Sequence, residues 1–276
     1  IDEDPGRWLR RAEAKTLEAL ARRGPLTANE LAAEVPELDR HIPYGEGRKW
    51  AGVIGMSSRV LLGLAADGHI VRGRPRGTWR GTQYRWALVE SWLGAAIPEL
   101  AVEAARVELA RAWLSSFGPA TAADLKWWTG WTVTATRQAL AGLDVVEVEL
   151  EGSTGPGLVL AGDLEPVASP DPWVALLPAL DPTVMGWTQR DWYLGPHRPE
   201  LFDTSGNAGP TVWCDGRVVG GWALRPDGEV AVHLLEPVGA EAAAAVEAEA
   251  GQLHGWLGAA PVLPKFRTPL ERRLSG

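Results

Sequence analysis

Five arginines, Arg72, Arg74, Arg76, Arg80 and Arg85, fall within residues 69–86, a stretch with no Asp or Glu. Guanidinium groups at this density suit one kind of chemistry, the neutralisation of phosphates. On the strand that closes the stretch, Tyr84, Trp86 and Leu88 fall on one face and Gln83 and Arg85 on the other. The aromatics are therefore expected in the core and the arginines facing outward. Arg72-Gly73-Arg74-Pro75 is similar to the core of an AT-hook, which lays arginines into a narrow minor groove. Trp79 stands at the turn. A second set, Arg48, Lys49, Ser57, Ser58 and Arg59, lies at the start, or off the apolar stripe, of a helix expected over residues 49–66. Basic and hydroxyl groups on one helix face suit phosphates and base edges. The plainer reading of both sets is a solvated turn and a solvated helix face.

Residues for bond-breaking chemistry are harder to find. There is no Gly-x-Ser-x-Gly, no phosphate-binding loop and no His-Glu-x-x-His; His41, His69, His197, His233 and His254 are scattered. Cys214 is the single cysteine, which excludes an internal disulfide framework and a cysteine-built zinc cage. No cofactor and no metal are expected. Gln189-Arg190-Asp191 is the one polar cluster between aromatics, and an ion-paired structural corner is favoured there over a site.

The elements that must position the arginines repeat. Gly24-Pro25-Leu26-Thr27-Ala28-Asn29-Glu30-Leu31 recurs as Gly118-Pro119-Ala120-Thr121-Ala122-Ala123-Asp124-Leu125. Gly-Pro ends one helix, the glycine taking a left-handed cap, and Thr with an acid three residues on opens the next as a capping box. Apolar spacing predicts a helix before each cap (8–23 with Leu9, Ala12, Thr16, Leu17 and Leu20; 99–117). It predicts a further helix after each, 49–66 with Val53, Met56, Val60, Leu61 and Leu64, and 132–143 with Val133, Ala139, Leu140 and Leu143. A hairpin follows each third helix, 69–73 with 82–88 and 145–150 with 157–161. Helix, capped helix, helix and hairpin make a winged helix-turn-helix. Beyond residue 166 two Asp-Gly turns, at 215–216 and 227–228, signal hairpins, and an Ala/Glu-rich helix is expected over 240–257. The fold class is therefore α+β, with tandem winged helices over 1–98 and 99–166 and a small mixed α/β domain over 167–276.

Charge divides along the same lines. The net charge is −8, yet residues 40–98 carry nine Lys/Arg against three Asp/Glu. Residues 99–166 carry four against ten, and 167–276 eight against thirteen. One basic segment joined to two acidic ones points to a localised polyanion contact. An acidic second wing repels a phosphate backbone, so the second copy reads as scaffold or interface, and Trp127 and Trp128 as core or interdomain contacts. No apolar run approaches the roughly 18–20 residues of a membrane span. The chain begins Ile1-Asp2-Glu3-Asp4, without initiator Met or signal peptide, so it is expected to be the tail of a longer protein or processed. Its cysteine usage fits a reducing cytoplasm, a DNA contact implies association with the nucleoid, and a monomer is the expected state.

Several strings carry a family resemblance. They are Gly45-Glu46-Gly47-Arg48-Lys49-Trp50, residues 70–77 with Gln83-Tyr84-Arg85-Trp86, Leu180-Asp181-Pro182 with Asp191-Trp192-Tyr193-Leu194, residues 212–222, and Phe266-Arg267-Thr268-Pro269-Leu270-Glu271. Together they resemble the bacterial winged-helix DNA-binding family of AlkZ-like DNA glycosylases over nearly the whole chain. The resemblance implies double-stranded DNA as partner. It also implies excision of N7-alkylated purines, including those in interstrand crosslinks, for repair and self-resistance. It implies a catalytic Gln-x-Gln or Gln-x-Asp pair in an N-terminal segment. Here only Gln189 and Asp191 have that spacing, and they lie in the C-terminal domain, so the catalytic segment is expected upstream of Ile1 and no catalytic residue is assigned. The chain then reads as the DNA-holding portion of a glycosylase; the alternative is a non-enzymatic DNA-binding protein or transcriptional regulator.

Overall fold

The first helix begins where the sequence supplies a cap: the Asp4 carboxylate accepts from the Gly6 amide at 3.0 Å and Pro5 occupies the first turn. The computed structural model describes residues 4–48, 51–78, 81–152, 155–258 and 263–276. The chain divides into two units, Ile1–Glu99 and Leu100–Gly276.

In the first unit α1 (Pro5–Arg23) ends at Gly24, whose φ of +74° favours glycine although its ψ of −158° lies outside the left-handed helical cap expected there. A two-residue strand, β1 (Leu26–Thr27), leads into α2 (Ala28–Glu34). The capping box is present in full: Thr27 Oγ1 accepts from Glu30 N at 3.3 Å and Glu30 Oε2 accepts from Thr27 N at 2.7 Å. A 3₁₀ turn (Pro36–Asp39), the hairpin β2 (His41–Tyr44) and β3 (Gly52–Gly55), and α3 (Met56–Ala66) follow. Then come β4 (Ile70–Pro75), β5 (Tyr84–Leu88) and the short α4 (Val89–Leu93). β1, β5 and β4 form an antiparallel sheet in that order, with Leu26 opposite Trp86 and Thr27 opposite Arg85. Trp8, Leu20, Leu31, Leu38, Leu61, Leu64 and Trp86 meet in one core.

The expected helix over 49–66 is corrected here. It starts at Met56, and the residues before it pair as a β-hairpin. Periodicity alone admits a helix, but Gly52 and Gly55 weaken one and Val53-Ile54 favour a strand. Gly52 also lies so close under the Tyr44 ring that a Cβ there would sit 2.8 Å from the Tyr44 hydroxyl oxygen. Val53, expected on the core face, is 65% exposed. Leu9 likewise lies at the rim of the α1 stripe and is exposed.

The second unit opens on the repeat. α5 (Val102–Phe117), α6 (Ala122–Thr129) and α7 (Val133–Ala141) precede β6 (Val145–Val148) and β7 (Gly157–Leu160). Ala120 bridges Leu158 on the return strand, as Leu26 bridges Trp86 in the first copy. Ala110, Trp113, Leu114, Leu125 and Leu140 form the core; Val133 is exposed. Gly118 departs from expectation: its φ is −74°, and glycine is required instead because a Cβ would meet Leu114 O at 2.5 Å.

The rest of the unit is an antiparallel sheet of β8 (Val174–Leu177), β9 (Thr211–Cys214), β10 (Arg217–Leu224) and β11 (Val230–Leu234), in the order β11-β10-β9-β8. The short helices α8 (Pro182–Met185), α9 (Asp191–Leu194) and α10 (Arg198–Leu201) lie between β8 and β9 in sequence. The Asp215-Gly216 turn has both residues at positive φ, +46° and +82°, as a two-residue hairpin demands. α11 (Ala240–Leu257) packs against β8 and β11, and α12 (Pro269–Ser275) against β10. The overall class is α+β.

Candidate nucleic-acid interface

In the first unit a cleft of about 510 Å³ opens between the starts of α2 and α3 and the β4–β5 hairpin. Thr27, the cap of α2, and Asn29 in its first turn line it, with Ser57 and Ser58 from α3 and Arg72 and Gln83 from the hairpin. No carboxylate is among its lining residues. The helix starts contribute partial positive charge, and both face the same cleft as Arg72.

Arg72 is not turned away from the aromatics, as an outward-facing set of arginines requires. It stands opposite Trp86 in the ladder, on the same face, and its guanidinium lies 4.8 Å from the Tyr84 ring centroid and 5.2 Å from that of Trp86. Alternation holds from Ile70 to Arg72, opposite Leu88 and Trp86, and the register shifts only beyond it, between Arg72 and Pro75. Gly73 sits inside that irregularity, where a Cβ would meet Trp92 at 3.1 Å and Arg85 O at 3.2 Å. Arg72 thus remains exposed while its charge is held in place by two rings.

The other predicted residues surround the cleft unevenly. Ser57 and Ser58 line it, though Ser58 Oγ donates to Gly55 O at 2.9 Å and so helps start α3. Arg59 is exposed on α3. Arg74, Arg76 and Arg85 are exposed on the hairpin, which is closed by Arg76 N donating to Gln83 O at 2.7 Å. Arg48 lies on the turn after β2, not on a helix. Lys49, Trp79 and Arg80 lie outside the described residues. The Glu30 carboxyl is held below the usual carboxylate range by the Thr27 amide and hydroxyl, and further by Arg76 and Arg85. Thr27 and Asn29 join the site although the charge pattern does not mark them; their signal is the cap itself, since the first turn of a capped helix presents free amides.

Gln189, Arg190 and Asp191 separate in the structure. Gln189 and Asp191 are exposed, whereas Arg190 is 4% exposed. Its Nε donates to Trp187 O at 2.7 Å, and its guanidinium lies 4.7 Å from the Trp127 ring and 5.1 Å from Phe202. Burial lowers its pKa. The corner is structural, but it is built on aromatic faces rather than on an ion pair to Asp191. Asp124, 2% exposed, ties it to the repeat: Oδ2 closes the Thr121 capping box while Oδ1 accepts from Thr188 N and Gln189 N at 2.9 and 3.2 Å. Trp127 and Trp128 are each 41% exposed, neither core nor fully free. Among the described residues no group of three or more His, Cys, Asp and Glu is arranged to hold a metal. No helix among them is long and apolar enough to cross a membrane.

Comparison with known proteins adds family to geometry. The DNA glycosylase AlkZ-like family matches residues 2–256. No curated protein matches. Among solved structures, the Streptomyces sahachiroi DNA glycosylase AlkZ is similar at 24% identity and a TM-score of 0.67, covering 90% of this chain and 67% of its own. The structural likeness carries the fold, and the family match covers most of the sequence; the chain belongs to the AlkZ-like DNA glycosylase family.

Proposed function

We propose that this chain holds duplex DNA for the excision of N7-alkylated purines, crosslinked ones included, with the first unit as its main grip. The observation that carries the reading is Arg72, fixed over Tyr84 and Trp86 and facing the starts of two helices across an acid-free cleft. Phosphates released from their counterions onto such a surface bind with little reorganisation of the protein. Residues 1–98 and 99–166 are read as winged helices, each with a bridge to the return strand of its hairpin, from β1 in the first and from Ala120 in the second, and 167–276 as the third domain. Arg48, Lys49, Ser57, Ser58, Arg59, Arg72, Arg74, Arg76, Trp79, Arg80 and Arg85 are the proposed DNA contacts. A glycosylase must also extrude its base, and the resemblance assigns that chemistry to a Gln pair absent from these 276 residues. That absence is what favours the second reading, DNA binding without catalysis.

Asn29→Asp tests the cleft without harming the fold, because a carboxylate in the first turn of α2 favours the helix. Duplex affinity at low salt is expected to fall several-fold while the thermal midpoint holds or rises. Unchanged affinity would remove the cleft from the interface. On duplex containing N7-methylguanine, the 276-residue chain is expected to bind and release no base. Base release would redirect catalysis to Gln189 and Asp191.

A further inference from the structure

The second unit is strongly acidic, with twelve Lys/Arg against twenty-three Asp/Glu over residues 99–276. Against that background one concavity of about 560 Å³ gathers Arg198, Arg267 and Arg272 around Phe202, with Asp203 and Thr204 at its edge. The acids nearby are committed elsewhere. Glu271, whose side chain is 1% exposed, takes Arg267 Nε at 2.7 Å and Nη2 at 3.1 Å. Glu200 pairs with Arg273 at 2.8 Å. Asp203 accepts from Ser205 N, Asn207 N and Asn207 Nδ2, all within 2.9 Å, which holds its carboxyl below the usual range.

Arg198 and Arg272 are left without a carboxylate partner among the described residues, and both are exposed. Arg198 is steered toward the concavity by Phe202, whose ring centroid lies 5.4 Å from its guanidinium. The buried Arg190 guanidinium lies over the same ring at 5.1 Å and adds positive charge from within. Like charges gathered in this way repel unless an anion joins them. Guanidinium forks bind the oxygens of carboxylates and phosphates bidentately, and the carboxylates nearby are already engaged.

We propose that Arg198 and Arg272 form a phosphate-binding site on the second unit, and that it takes a phosphodiester of the DNA strand. The assignment to DNA rests on the function proposed above; the phosphate chemistry does not. Both arginines are to be replaced together, R198A/R272A, and the duplex affinity followed against salt by fluorescence anisotropy. The slope of log K against log salt is expected to flatten by about 0.9 for each phosphate that the variant no longer neutralises. R198K/R272K keeps the charge and should keep most of the slope, and a preserved thermal midpoint excludes misfolding as the cause. Calorimetric titration with inorganic phosphate supplies the second arm. Phosphate binding that disappears in R198A/R272A while the DNA slope is unchanged overturns the DNA assignment and leaves a free-phosphate site. No phosphate binding and no change of slope overturn the site itself. If the wild-type chain fails to bind duplex at all, the DNA reading fails separately, and the phosphate titration still reports on the two arginines.

Discussion

The two copies of the repeat share a skeleton and differ in what is hung on it. Each has a helix, a short bridge to the return strand of a hairpin, a capping box, two further helical segments and the hairpin itself. In the second copy α6 ends at Thr129 and α7 begins at Val133, so three residues join them. In the first, α2 ends at Glu34 and α3 begins at Met56. The extra length holds the 3₁₀ turn and the β2–β3 hairpin, with Arg40, Arg48 and Tyr44 exposed along it. The main hairpins differ as well, Arg72, Arg74, Arg76 and Arg85 in one against Glu147, Glu149 and Glu151 in the other. The capping acid differs in the opposite sense: Glu30 serves its own helix and feels the arginines, whereas Asp124 is buried and ties its helix to Thr188 and Gln189. A duplicated unit has become a charged outward-facing surface in one copy and a structural joint in the other.

The largest expected effect follows from that joint. Asp124→Ala strands the buried Thr121 amide and frees the part-buried bonds of the Thr188 and Gln189 amides, and should cost roughly 3 kcal/mol of stability. The corresponding removal of the cap in the first copy, Thr27→Ala, should cost about 1 kcal/mol. Chemical denaturation of both variants checks the ordering, and equal costs would mean that the caps do the same job.

A smaller effect is set by pH. Burial works against ionisation of Glu37, but hydrogen bonds from Lys15 at 2.7 Å, its own backbone and Arg11 at 3.1 Å outweigh it and lower the carboxyl below 4.5. A depressed folded-state pKa stabilises the fold above the unfolded value, and that contribution fades as pH falls through the folded value. Between about pH 5 and pH 3 the wild type should therefore lose more stability than Glu37→Gln. Parallel curves would assign the acid sensitivity elsewhere. The same offset that relates the capping boxes puts Trp131 opposite Glu37, half-buried against the core of the second copy, so no matching acid-labile pair exists at that position.

Much of this is legible in the sequence because it is local. Thr27 with Glu30, Thr121 with Asp124, the Asp215-Gly216 turn and the Ala/Glu-rich helix over Ala240–Leu257 all act within a few residues, and each forms where its pattern places it. The β2–β3 hairpin is hidden because Val53, Met56 and Val60 fit helical spacing whether or not the chain is helical there. The stacking of Arg72 on Tyr84 and Trp86 is set by the pairing of β4 with β5, which alternation within either strand does not record. The bonds from Asp124 to Thr188 and Gln189, and the meeting of Arg198 with Arg272, join residues far apart in sequence. No local pattern records such pairs.

The central claim is that the first copy, and not the second, grips the phosphate backbone. Its most direct test is the salt dependence of duplex binding for R72A/R74A/R76A beside that for K126A/R137A. The expected result is a slope of log K against log salt flattened by about 0.9 per phosphate set free in the first variant and unchanged in the second. An unchanged slope in R72A/R74A/R76A, or an equal flattening in K126A/R137A, would contradict it.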